Sequence, residues 1–115
     1  MNRKGLVLIL ERDVLIRELL ERWLGEAGYA VSAAGDEKGP SLVIADVPSP
    51  RRAQALIESL QAVYAAPILA LSGRFTRGLA GSTEAARRLG VKKLLPKPFT
   101  RKELLSAVAA SLEEE

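Results

Sequence analysis

Six polar residues stand at the ends of short apolar runs, and they bound the chemistry open to this chain. Glu11, Arg12 and Asp13 follow the run Leu6 to Leu10; Asp46 follows Leu42 to Ala45; Ser72 follows Ile68 to Leu71; Lys97 lies just past the weak pair Leu94-Leu95. With no Cys and no His among 115 residues, disulfides, thiolate zinc sites, Cys or His nucleophiles and Ser-His-Asp triads are excluded. Carboxylates, hydroxyls, Lys and Arg remain. Whether the six meet depends on the elements that carry them.

Leu6-Val7-Leu8-Ile9-Leu10 is a continuous apolar run ending in charge, as expected of a central strand buried on both faces of a parallel sheet. After Asp13, apolar residues recur at Leu15, Ile16, Leu19, Leu20, Trp23, Leu24 and Ala27, which is helical spacing, and Gly28 is a natural stop. Ala30 to Ala33, Leu42 to Ala45, Ile68 to Leu71 and Leu94 to Leu95 read as further strands. Helical patterns lie at Leu56, Ile57, Leu60, Val63 and Tyr64, and at Ser82 to Leu89, closed by Gly90. The last helix opens on the capping box Thr100-Arg101-Lys102-Glu103, with Leu104, Leu105, Val108 and Leu112 as its buried stripe. The alternation predicts an α/β fold, a doubly wound five-stranded parallel sheet, whose strand-end loops converge where ligands usually bind. That convergence brings the six residues to one pocket.

One connection is short. Only Gly35 to Pro40 separates the second and third strands, and six extended residues reach about 20 Å. A crossover must return along a strand of about 17 Å and pass two strand spacings of about 10 Å in all, a diagonal of roughly 20 Å. No second helix fits there without dismantling a strand.

At 48% apolar residues, the expectation is a single domain over residues 1–115, without a linker or an output domain. The run Leu6 to Leu10 is too short for a signal-peptide core or a membrane span, so the expectation is a soluble cytoplasmic protein. A formal charge of +3, with two Tyr, two Phe and one Trp, offers little of the aromatic interleaving that stacks bases. Composition does not argue for nucleic acid.

The whole chain resembles the receiver domain of bacterial response regulators, the CheY-like superfamily. V-L-I-L-E-R-D-V-L-I-R-E-L-L resembles the family's opening, with Glu11 at the first acid and Arg12 where the second, metal-binding acid is expected. L-V-I-A-D-V-P-S-P resembles the phosphoacceptor segment, with Pro50 at its proline; L-S-G resembles the hydroxyl position and L-P-K-P-F the lysine segment. The resemblance implies a flavodoxin-like strand order 2-1-3-4-5, Asp46 as phosphoacceptor, Glu11 and Asp13 in an acidic pocket, Ser72 and Lys97 in phosphate and switch roles, and a cis Lys97–Pro98 bond. Any magnesium ion would be held by Glu11, Asp46 and the Pro48 carbonyl. The departures are Arg12, Leu94 at the switch aromatic, the shortened or missing second crossover helix, and Gln54 in place of a glycine.

Arg12 matters most among these. Magnesium binds through one or two carboxylates plus phosphate oxygens and water, and Arg12 with Lys97 offsets Glu11 and Asp46 unless Asp13 turns in. Metal affinity is expected to fall. Arg12 either pairs with Asp46 and locks one conformation without phosphate, the favoured reading, or neutralises a phosphoryl group on Asp46.

The expected function is a stand-alone, atypical receiver in two-component or phosphorelay signalling, acting by protein contact. Its partner is a histidine kinase or phosphotransfer protein, and a homodimer is open. The alternative is a phosphorylation-independent pseudo-receiver with Arg12 replacing the metal; a small phosphotransfer enzyme and a basic nucleic-acid-binding module stand further off. Plainer readings remain beside each residue: Asp46 as a turn cap, Lys97 and Arg12 as solvated side chains, Ser72 as a loop serine, Glu11 as a local ion-pair partner. Arg74, Arg77, Arg87, Arg88, Lys92, Lys93, Arg101 and Lys102 are either solvated helix faces or a dock for an acidic protein. Apolar sheet left uncovered near the second strand is another expected contact surface.

Overall fold

Alternation along each apolar run decides which residue faces which layer of this protein. The computed structural model describes residues 5–32, 39–47, 50–73 and 83–112, without the side chains of residues 50, 51 and 83–85. In chain order the elements are β1 (Leu6–Leu10), α1 (Val14–Glu26), β2 (Ala30–Ser32), β3 (Leu42–Val47), α2 (Pro50–Val63), β4 (Ile68–Ser72), α3 (Thr83–Leu89), β5 (Lys93–Pro96) and α4 (Arg101–Leu112). The strands form one sheet in the order β2-β1-β3-β4-β5, every pair parallel.

Odd and even residues of the same strands feed two cores. Val7, Ile9, Leu42, Ile44, Leu69 and Leu71 pack with Leu20 and Leu24 of α1 and Leu104, Ala107 and Val108 of α4. Leu8, Val43, Ala45, Val47, Ile68, Ala70 and Leu94 pack with Ala53 and Ile57 of α2 and Ala86 of α3. Burial on both faces is why the strands read as unbroken apolar runs.

Local signals set the helix ends. Thr100 and Glu103 form the expected box, Glu103 N–H donating to Thr100 Oγ1 at 3.0 Å and Thr100 N–H to Glu103 Oε1 at 2.9 Å. Gly28, at φ 101°, turns the chain out of α1 while Tyr29 N–H reaches back to the Leu24 carbonyl at 3.0 Å. Such a φ suits glycine, which has no Cβ to clash.

Residues 33–38, where the second crossover helix was expected to be missing, lie outside the described residues. Leu8 of β1 and Val43 of β3 are both 0% exposed, whereas Ala30, Val31 and Ser32 of β2 are half-buried. Register puts Ala30 beside Leu6 and Ser32 beside Leu8, so β2 presents small side chains to that face. The expected uncovered sheet near the second strand borders on residues outside the described ones; among the described residues, the exposed large hydrophobics are Val14, Leu15, Leu19 and Val63, all on helices. No helix among the described residues is long and apolar enough to cross a membrane.

Candidate functional site

Asp46 and Ser72 lie within strands rather than just beyond them. β3 continues through Asp46 to Val47, and β4 through Ser72, with Asp46 opposite Leu71 and Val47 opposite Ser72. Lys97 follows β5, and its N–H donates to the Ser72 carbonyl at 2.7 Å, extending the ladder by one bond. The Lys97–Pro98 bond is cis.

At the carboxyl ends of β1, β3 and β5, one ammonium group joins two carboxylates. Lys97 Nζ donates to Asp46 Oδ1 at 2.9 Å and lies 3.1 Å from Glu11 Oε1. The side chains of Glu11, Asp46 and Lys97 are 1%, 12% and 19% exposed. The Lys97–Glu11 approach is an ion pair without hydrogen-bond alignment, so Oε1 is a buried oxygen with no hydrogen-bond donor among the described residues. Glu11 Oε2 accepts from the Asp13 N–H at 3.0 Å, which holds the turn out of β1.

Burial alone pulls the Lys97 ammonium down. The hydrogen bond to Asp46, then the contact and charge of Glu11 and the charge of Asp46, more than reverse this and hold it above the ordinary lysine range. A group whose pKa is raised on folding adds stability that is complete below its unfolded pKa and fades as pH rises through the folded one. Lys97 therefore adds stability at neutral pH and loses it on the alkaline side of the lysine range. Tyr29, raised by burial, acts in the same alkaline direction. In urea unfolding at stepped pH, the difference between wild type and Lys97→Met is expected to narrow above the lysine range.

Two site expectations are corrected by the geometry. Asp13 does not turn into the pocket: its Oδ1 accepts from Leu15 N–H at 2.9 Å and Ile16 N–H at 3.2 Å, capping α1. Unpaired amides at a helix start compete well for a nearby carboxylate. Asp13→Ala is expected to cost about 1 kcal/mol of stability, read by urea denaturation. Nor does Arg12 pair with Asp46. Arg12 is exposed, and Lys97 holds the Asp46 carboxylate instead.

A tight magnesium site does not fit the described residues. The Lys97 ammonium lies against both Glu11 and Asp46, the two carboxylates that would hold the ion, and among the described residues no third acid joins them. Pro48, whose carbonyl was the third expected ligand, lies outside the described residues. Leu94, at the switch-aromatic position, is buried in the core with Ala86 and Val91. Of the basic stretch, Arg74 and Arg77 lie outside the described residues, while Arg87, Arg88, Lys92, Lys93, Arg101 and Lys102 are exposed.

Sequence reasoning missed a groove beside the site. Ile16, Leu19 and Trp23 of α1, with Gly73, Lys97, Pro98 and Phe99, line a cavity of about 360 Å³, and Leu15 is 74% and Leu19 42% exposed on the same helix. The signal was the number of apolar positions in α1, more than one buried face needs.

No family model matches the chain. It is 37% identical over 113 residues to the transcriptional regulatory protein PdtaR of Mycobacterium tuberculosis (strain CDC 1551 / Oshkosh), a match covering 89% of this chain and 54% of that one. The chain thus spans about half the length of the curated relatives it matches. Among solved structures, a response regulator protein from Burkholderia multivorans is 29% identical with TM-score 0.64, covering 100% of this chain and 98% of its own. A response regulator receiver protein from Burkholderia phymatum is 25% identical with TM-score 0.72, covering 95% of each. With this fold along its length and response regulators as its relatives, the chain is a receiver domain of the CheY-like superfamily.

Proposed function

We propose that Asp46 accepts a phosphoryl group from a histidine kinase or phosphotransfer protein, and that the phosphorylated chain signals by contact with a protein partner. The observation that carries this reading is the Lys97 ammonium seated 2.9 Å from Asp46 and 3.1 Å from Glu11. A lysine so placed fixes one Asp46 oxygen and stands ready to stabilise charge on a phosphoryl group bonded to the other. In the transfer, an Asp46 oxygen forms a bond to phosphorus while the donor's bond to phosphorus breaks. With acetyl phosphate the leaving group is acetate, and no proton is needed. Ser72, one rung along from Asp46, is the hydroxyl nearest in register to the phosphoryl group.

Incubating the full chain with acetyl phosphate and weighing it intact tests this. One added phosphoryl group that is absent in Asp46→Asn supports the reading. No adduct under any condition would leave the three charged residues as a structural ion-pair cluster.

The exposed Leu15 and Leu19 beside the Lys97 groove give a protein donor an apolar surface next to Asp46. Leu19→Glu is expected to slow transfer from a protein donor about tenfold more than transfer from acetyl phosphate, since one buried apolar contact is worth about 1 to 3 kcal/mol at an interface. Rates from the two donors, compared for wild type and variant, check it.

A further inference from the structure

We propose that Arg12 supplies the positive charge that a divalent cation would otherwise bring to phosphorylated Asp46, so that phosphoryl transfer to this chain needs no metal. The inference rests on Asp46 being the phosphoacceptor and names what balances its charge. Glu11, Asp46 and Lys97 together carry one net negative charge. Phosphorylation replaces the Asp46 carboxylate by a group of about −1.5 to −2, and the pocket becomes roughly twice as negative unless a cation joins it. Among the described residues no nearby acid is free to recruit one. Asp13 is committed to the α1 amides, and the space between Glu11 and Asp46 already holds the Lys97 ammonium.

Among the described residues, Arg12 is the cation that stands next to Glu11 in the chain and is not already committed to the site. Its backbone is pinned on both sides, by Glu11 buried against Lys97 and by Asp13 bonded to Glu11 and to the start of α1. Its side chain is exposed and has no ion-pair partner among the described residues. The other arginine of this segment, Arg17, is turned back onto the Glu11 carbonyl at 3.4 Å. A guanidinium presents a planar fork of donors suited to phosphoryl oxygens and stays charged at any working pH. An exposed guanidinium on a fixed backbone is open to close on a phosphoryl group and release it again, a task a permanent Arg12–Asp46 pair would prevent.

The full chain would be phosphorylated with acetyl phosphate in EDTA and in millimolar magnesium, with adducts followed by intact mass. Magnesium alone would be titrated against the fluorescence of Trp23, the one tryptophan, which packs edge-on to Phe99 at 6.5 Å beside the Lys97 loop. Wild type is expected to be phosphorylated at rates within about twofold in the two conditions and to give no saturable magnesium response. Arg12→Ala should slow phosphorylation in EDTA by at least about tenfold, in line with the loss of one charge-stabilising donor. Arg12→Asp should restore a magnesium response and become metal-dependent. Wild type that is phosphorylated only with magnesium, or Arg12→Ala that matches wild type in EDTA, overturns the proposal and leaves Asp46 as phosphoacceptor. Absence of any adduct in wild type and in Arg12→Asp with magnesium overturns both.

Discussion

Lys97→Ala is expected to lower the unfolding free energy by about 3 kcal/mol and to slow phosphorylation of Asp46 on the order of a hundredfold. The two losses share one cause. Glu11, with a side chain 1% exposed, and Asp46, at 12%, would face each other with no cation between them. Removing one partner of a buried pair costs far more than the pair's net worth, because it strands the remaining charge. Glu11→Gln in the Lys97→Ala background is therefore expected to recover part of the stability while leaving phosphorylation slow. Urea denaturation shows the first effect as a lower midpoint at unchanged slope, and intact-mass kinetics show the second.

Leu104→Ala is expected to cost a further 2 to 5 kcal/mol, about what deleting a fully buried leucine costs when its surroundings relax only partly. Leu104 is 0% exposed and lies in the core that joins α4 to Leu69, Leu71 and α1. The same helix follows directly on the Lys97–Phe99 segment, so loosening it should also shift the emission of Trp23, which touches Phe99. Thermal unfolding followed by fluorescence checks both. An unchanged midpoint would mean that α4 does not hold this face of the sheet.

Much of this was legible in the sequence because the fold uses both faces of its strands. The run Leu6 to Leu10 has no polar residue to spare, and Thr100 with Glu103 announces the last helix by a reciprocal bond between neighbours. The order of Glu11, Asp46, Ser72 and Lys97 along the strand ends placed them at one end of the sheet. Asp13 was harder, since an acid between a strand and a helix suits a pocket and a cap equally well. The competition was settled by the free amides of Leu15 and Ile16. The direction of Arg12 was not legible, because spacing fixes where a backbone goes and leaves a long side chain undecided. Leu15 and Leu19 show a related limit: periodicity names the apolar face of α1 but not how far its neighbours cover it.

Locating a phosphoryl group chemically tests the central claim most directly. After treatment with acetyl phosphate, an acyl phosphate can be reduced with borohydride, which converts a phosphorylated aspartate to homoserine, and the protein can then be digested and sequenced by mass spectrometry. Homoserine at position 46, and its absence from the untreated chain, is the expected result. Modification at another residue, or none at Asp46 in chain shown to be folded, would contradict the assignment of the Glu11, Asp46 and Lys97 cluster as a phosphoacceptor site.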